Sequence, residues 1–420
     1  MNVVVRHSET SGMIAAPPSK SMTHRALVLS ALADGKSTIA NPLTADDTEA
    51  TASVLRGLGV GLVRGEKWTV EGGKFKVPKA DLHCGESGTT LRFMAAACAL
   101  AKGECRLTGG KSLSARPVGP LLDALAQLGV KSTSRGGLPP VTIKGIGRIG
   151  GGETRLPGDV SSQFVSALLT VAPLADTPVE INLTTPLESR PYVAMTMDAM
   201  RAFGVEAWAS RDMRWLKASL GPYRASTVEV EGDWSSAAYA LAAAALTGGV
   251  TLRGLNLNSS QADRTIIEIL SRMGADVSTG GGAVRVAKST LRGINVDLSD
   301  CPDLFPIVSA LCAAAEGESI LTGLGRLKLK ESDRLAAMAE GLTRMEIKMR
   351  CDSDSAKITG GAPRGAELDP WGDHRIAMSL AVLALAAEGE TKINDAGCVS
   401  KSYPGFWDDL AAIGGRLEKR

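Results

Sequence analysis

Leu55-Arg56-Gly57-Leu58-Gly59-Val60 ends an amphipathic segment in a Leu-Gly-Val turn. The same ending, slightly varied, returns at Leu125 to Val130, Met200 to Val205, Ile269 to Ala275, Leu342 to Ile347 and Leu410 to Gly415. The six stretches recur at a period of roughly seventy residues, the mark of a chain built from one repeated supersecondary unit. A second, alanine-rich and mostly apolar segment recurs in step with them. It ends before short strands predicted around Thr38, Cys105, Val179, Thr251, Ser319 and Thr391. Helices apolar on nearly every side are buried, whereas those with a charged face are exposed. Each repeat therefore predicts one inner helix, one outer helix and short strands.

At 420 residues the chain exceeds what one hydrophobic core usually organises, so the six repeats are expected as two lobes of three. Alternating short strands and helices make the class α/β, with α+β character because connections of varied length favour mixed sheets. The formal charge of +2 provides no broad basic field for nucleic acid or anionic lipid, so anion recognition must come from local clusters. The seven cysteines form no C-x-x-C pair and are expected as reduced, mostly buried thiols. No apolar stretch reaches membrane-spanning length, and Val3-Val4-Val5 follows Met1 without a signal-peptide pattern. A cytoplasmic location is expected.

Three stretches mimic known motifs. Gly145-Ile146-Gly147-Arg148-Ile149-Gly150 fits G-x-G-x-x-G, but Gly151, Gly152 and then Pro157 follow instead of a helix. Asp34-Gly35-Lys36-Ser37 resembles the end of a phosphate-binding loop, yet Ser30 stands where glycine is needed. Gly85-Glu86-Ser87-Gly88 approaches a nucleophile elbow but has Thr89 in place of the second glycine.

What precedes each apolar helix is more informative. Lys20-Ser21, Glu86-Ser87-Gly88-Thr89, Asp159 to Gln163, Asp233-Trp234-Ser235-Ser236, Cys301-Pro302-Asp303 and Gly372-Asp373-His374 are all small and polar. Singly they read as ordinary N-caps. As a set, six buried helices beginning with free backbone N–H groups predict anion sites. Beside them stand Lys20, Arg25, Arg92, Arg116, Arg190, Lys330, Arg334, Arg375 and Lys401. Arg25, Arg92 and Arg375 fall inside apolar helices, where a charge needs a partner, and no equal number of carboxylates accompanies them along the chain. Arginine forks and lysine ammonium groups suit carboxylate and phosphate oxygens, so two phosphorylated acids match the count. Asp303 and Glu331 are the candidates for proton transfer, against roles as an N-cap and a surface ion pair. Lys330 and Arg334 should keep Glu331 ionised, which suits a base.

These motifs resemble the enolpyruvyl transferases, most closely the branch acting on shikimate 3-phosphate. The resemblance spans nearly the whole chain. It rests on Pro18 to Ser21 with Arg25, Gly85 to Arg92, Ser114 to Pro117, Val160 to Phe164, Ser189 to Tyr192, Pro302-Asp303, Lys330 to Arg334, Asp373 to Arg375 and Lys401. It implies a two-lobed, inside-out α/β barrel of six βα units, with residues 15–226 in one lobe and 1–14 plus 227–420 in the other. The chain would cross between the lobes twice, and the lobes would close on substrate.

The implied reaction passes the enolpyruvyl group of phosphoenolpyruvate to the 5-hydroxyl of shikimate 3-phosphate, in the shikimate pathway. It runs by addition and elimination through a tetrahedral intermediate, without metal or cofactor, in what is expected to be a monomer. The resemblance assigns shikimate 3-phosphate to Lys20, Ser21, Arg25, Ser161, Ser162, Gln163, Ser189, Asp303 and Lys330. It assigns phosphoenolpyruvate to Lys20, Gly88, Arg116, Gln163, Arg334, Arg375 and Lys401, and catalysis to Asp303, Glu331 and Lys20. Glu86, Arg326 and Arg190 depart from common family residues, and Glu86 adds a negative charge beside the phosphoenolpyruvate residues. The alternative acceptor within the family is UDP-N-acetylglucosamine. That branch typically carries a reactive cysteine before the Arg-Pro pair and Asn after the first lysine, where this chain has Lys111 and Ser21. An alternative of another class, a silent anion-binding scaffold, does not explain why Asp303 and Glu331 are present.

Overall fold

The computed structural model describes residues 1–420 as two compact units, one of Pro18–Val230 and the other of Met1–Pro17 with Glu231–Arg420. Each contains three four-stranded sheets. All six sheets have one plan, in which a parallel pair is extended by two antiparallel strands. In the second repeat, Leu82–His83 runs parallel to Lys102–Thr108, which pairs antiparallel with Leu138–Ile146, itself antiparallel to Lys131–Arg135. The six predicted short strands are the second member of each plan, at Gly35–Ala40, Lys102–Thr108, Val179–Leu183, Gly249–Arg253, Glu318–Thr322 and Glu390–Ile393. The class is the expected mixed α/β, but each sheet is open, with two edges, so no sheet closes into a barrel.

The N-terminal strands complete two repeats of their unit. Val3–Arg6 inserts antiparallel between Glu390–Ile393 and Arg416–Lys419, and Ser11–Ala15 lies parallel to Gly249–Arg253. In the Pro18–Val230 unit the last strand, Thr227–Glu229, returns to lie parallel to Gly35–Ala40 and closes the first repeat.

Twelve α-helices alternate between inner and outer positions. The inner helices are α1 (Lys20–Leu32), α3 (Gly88–Ala97), α5 (Ser162–Val171), α7 (Trp234–Thr247), α9 (Phe305–Ala313) and α11 (His374–Ala384). Their residues are nearly all buried, without exception in α9 and α11, as apolar composition on every side requires. The outer helices are α2 (Asp46–Gly57), α4 (Gly119–Gln127), α6 (Arg190–Ala202), α8 (Ile266–Arg272), α10 (Arg334–Arg344) and α12 (Phe406–Ala412). In α2 only one face, including Thr51, Ala52, Val54 and Leu55, is covered.

The repeated turn has a conformational cause. Gly59, Gly129, Gly204, Gly274 and Gly414 all have φ between +80° and +103°, the left-handed geometry that ends helices and that glycine adopts without strain. In the fifth repeat the position is Glu346, at φ +64°. Glu346→Gly is expected to stabilise the protein by roughly 0.5–1 kcal/mol, read as a higher denaturant midpoint. The exposed pair of Glu346 with Arg364 offsets little of this. An unchanged or lower midpoint would show that the turn carries no strain.

The motif mimics have structural roles. Gly145 to Gly150 joins two strands, Asp34 to Ser37 opens a strand, and Ser87 caps α3. The seven cysteines are unpaired and buried, except for exposed Cys351.

Candidate active site

Five inner helices begin on a side-chain cap: Ser19 on the Met22 amide, Ser87 on Thr90, Ser161 on Gln163, Asp233 on Ser236 and Asp373 on Arg375. The sixth differs. Pro302–Leu304 forms a 3-10 turn ahead of α9, with no side-chain cap. The carboxylate of Asp303 is therefore committed elsewhere, and the N-cap reading of this residue is set aside.

In the Pro18–Val230 unit, Lys20 begins α1 and donates to Asp47 Oδ2 at 2.9 Å. Five residues on, Arg25 is buried and donates to Thr196 Oγ1, the Ser21 carbonyl and the Tyr192 carbonyl at 2.7–2.9 Å. These acceptors are neutral, and burial lowers the Arg25 pKa to about 10, which leaves it charged at neutral pH. Three of its five N–H groups are thus used by neutral acceptors. Tyr192 lies near the start of α6, next to Ser189, which is buried and left-handed at φ +53°. Such strain in a non-glycine residue gathers at functional sites.

Gln163, following Ser161 and Ser162 at the start of α5, bridges two inner helices. Its Oε1 accepts from Arg92 at 2.6 Å, and its Nε2 donates to Thr89 Oγ1 at 2.9 Å. Arg116 follows a 3-10 turn, and its guanidinium covers Gly88, where an added Cβ would stand 2.8 Å from Cζ. Glycine there lets the guanidinium lie against the start of α3, and a larger residue would displace it. Glu86 turns its Oε2 to the Leu113 amide, 2.7 Å away.

In the unit containing Glu231–Arg420, Arg334 is the hub. It is 1% exposed and donates to three carboxylates: Asp303 and Asp373 at 2.8 Å each, and Glu331 at 2.7 Å. Burial opposes its charge, but Asp373, Glu331 and Asp303 outweigh that and raise its pKa. Asp303 also accepts from Lys330 at 3.2 Å and from Arg375 at 2.9 Å. Burial lowers the Lys330 pKa to about 8, with Asp303 opposing the shift. Lys401 donates to the Gly372 carbonyl at 2.8 Å.

The expectation that the buried arginines outnumber their carboxylates thus holds for Arg25, whose partners are neutral, and fails for Arg375, which faces Asp303. Sequence separation hid that pairing, since the two residues are 72 positions apart.

Two further carboxyl groups escaped the sequence reading. Asp47 holds Lys20, and its place in an ordinary helical first turn gave no signal. Asp263 is buried and takes a hydrogen bond from Ser235. Burial first, and Asp303 second, push its pKa up to about 7.

The chain matches the family model described as EPSP synthase (3-phosphoshikimate 1-carboxyvinyltransferase) over residues 4–410. It belongs to the EPSP synthase family. A relative from Dehalococcoides mccartyi, named 3-phosphoshikimate 1-carboxyvinyltransferase, is 44% identical over 100% of both chains. One of the same name from Methanocorpusculum labreanum is 41% identical over 100% of both. Among solved structures, EPSP synthase from Acinetobacter baumannii superposes with a TM-score of 0.84 at 29% identity, covering 100% of each chain. The enolpyruvyl transferase NikO from Streptomyces tendae shares the fold, with a TM-score of 0.79 over 99% of this chain and 98% of its own. Every motif behind the resemblance, from Pro18 to Lys401, falls within the EPSP synthase match.

Proposed function

We infer that this chain transfers the enolpyruvyl group of phosphoenolpyruvate to the 5-hydroxyl of shikimate 3-phosphate, releasing phosphate, as a step of the shikimate pathway. Full-length membership of the EPSP synthase family carries this reading. The transfer to UDP-N-acetylglucosamine is not favoured, since the relatives matched end to end are named for the shikimate acceptor.

The side-chain chemistry supports the roles assigned to single residues. Both substrates are multiply anionic and repel each other. Lys20, Gly88, Arg116, Gln163, Arg334, Arg375 and Lys401 hold phosphoenolpyruvate. Shikimate 3-phosphate meets Lys20, Ser21, Arg25, Ser161, Ser162, Gln163, Ser189, Asp303 and Lys330. Prearranged cations offset the repulsion and orient the hydroxyl on the enol carbon, so orientation and electrostatics supply much of the rate.

Asp303 takes the proton of the 5-hydroxyl as its oxygen bonds to C2 of phosphoenolpyruvate and a proton adds to C3, giving the tetrahedral intermediate. Loss of a C3 proton then expels phosphate and restores the double bond. Glu331, with Lys20, carries the C3 proton in both directions. Asp303 accepts from three cations, Lys330, Arg334 and Arg375. Substrate anions that draw Lys330 and Arg375 away free an Asp303 oxygen for the hydroxyl.

Product analysis by NMR tests the reaction. Equimolar substrates should yield an enolpyruvyl ether at O5 and one equivalent of inorganic phosphate. Unchanged substrates would overturn the assignment.

The Lys330 ammonium adds a pH dependence. Its cationic form predominates at lower pH and is lost as pH rises through about 8. kcat/KM for shikimate 3-phosphate is therefore expected to fall above that pH, approaching about tenfold per pH unit. Lys330→Arg should move the limb upward. A flat profile to pH 9.5 would remove Lys330 from substrate binding.

A further inference from the structure

We propose that Thr51 and Thr90 are positioning residues which, with His24, form a buried polar chain fixing the start of α3 against the start of α1. His24 Nδ1 lies 2.8 Å from Thr51 Oγ1, and Thr51 Oγ1 lies 2.6 Å from Thr90 Oγ1. Thr90 Oγ1 reaches Ser87 Oγ at 2.8 Å and the Asp47 carbonyl at 3.3 Å. All of these residues are buried. One end of the chain is the Ser87 cap, directly before Gly88. The other is Asp47, whose carboxylate holds Lys20 at 2.9 Å. Thr90 is the junction between them.

Helix packing alone does not require this chain. Replacing both partners of a buried hydrogen bond with apolar groups of the same shape is nearly neutral for stability, and α1, α2 and α3 pack through apolar residues on either side of it. A hydroxyl chain instead defines one spacing, because its bonds fail with small displacements. The imidazole stays neutral, because burial, and then Lys20 and Arg25, drive its pKa well below the usual value. It therefore adds no charge to a site built for anions. Its Nε2 has no hydrogen-bond partner, so the ring engages the chain through Nδ1 alone.

The inference rests on the assignment of Gly88 to phosphoenolpyruvate alone; Lys20, assigned to both substrates, keeps its own bond to the Asp47 carboxylate in each variant. The residues outside the chain, Arg25, Ser161, Ser162 and Ser189, are assigned to shikimate 3-phosphate, so loss of the chain should separate the two substrates. Thr90→Val keeps the shape and removes the hydroxyl. It is expected to raise KM for phosphoenolpyruvate about 5- to 10-fold, the size of one or two lost hydrogen bonds, with KM for shikimate 3-phosphate changed less than twofold. Thr51→Val should show the same split, and Thr90→Ser should recover most of the affinity. Amide exchange in the unliganded protein reads the chain without reference to the reaction. It should quicken at Gly88–Arg92 in Thr90→Val and not across the rest of that unit.

Equal increases in both KM values, or none, overturn the proposal, as does unaltered exchange at the start of α3. If Thr90→Val does not fold, Thr51→Val decides by the same criteria. An unmodified protein inactive with both substrates would instead fault the functional reading, and the exchange result would still judge the chain.

Discussion

Arg334→Met is expected to cost the protein about 3–5 kcal/mol and to abolish turnover. Methionine fills much of the arginine volume but leaves Asp303, Glu331 and Asp373 without the cation they share. Asp373 is fully buried and also caps α11 through the Arg375 amide at 2.9 Å, so the damage should spread to the helix carrying Arg375. Arg334→Lys keeps the charge but replaces a planar fork with one ammonium, which cannot meet three carboxylates in fixed directions. It should recover part of the stability and little activity. Denaturant midpoints read the first effect and steady-state rates the second. Parent-like stability in Arg334→Met would mean that the three carboxylates do not depend on this arginine.

Removal of the proton-transfer groups gives the second large effect. Asp303→Ala and Glu331→Gln should each lower kcat by about 10²- to 10⁴-fold. They should differ elsewhere. Asp303→Ala leaves Lys330, Arg334 and Arg375 with one carboxylate fewer, so KM for shikimate 3-phosphate changes as well. Glu331→Gln keeps an oxygen for Arg334 and removes only the basic group, so KM should stay within a few-fold of the parent. In heavy water with both substrates present, Glu331→Gln should also slow deuterium entry into the methylene carbon. Near-parent kcat in both variants would show that protons move through other groups.

The repeat period was legible because it arises from local geometry. A left-handed residue after each outer helix demands glycine in five of six copies, and the buried position of the inner helices demands small apolar residues on every face. Strand order was not legible, since pairing is set by contacts distant in sequence. The insertion of Val3–Arg6 between strands near the opposite end of the chain has no local sign.

The buried cations of the candidate site were legible in their residue types. Cations inside apolar helices cannot be ordinary surface charges, and that singled out Arg25, Arg92 and Arg375. Their partners could not be read. Nothing in the local sequence joins Arg375 to Asp303, Lys20 to Asp47 or His24 to Thr51, because helix packing brings these pairs together. The division of residues between two substrates came from family resemblance, since spacing specifies an anion but not which one.

Phosphate release with defined acceptors tests the central claim most directly. Purified protein with phosphoenolpyruvate should release phosphate when shikimate 3-phosphate is added, and release none with phosphoenolpyruvate alone or with UDP-N-acetylglucosamine. Release confined to the sugar nucleotide, or absent with both acceptors, would contradict the account.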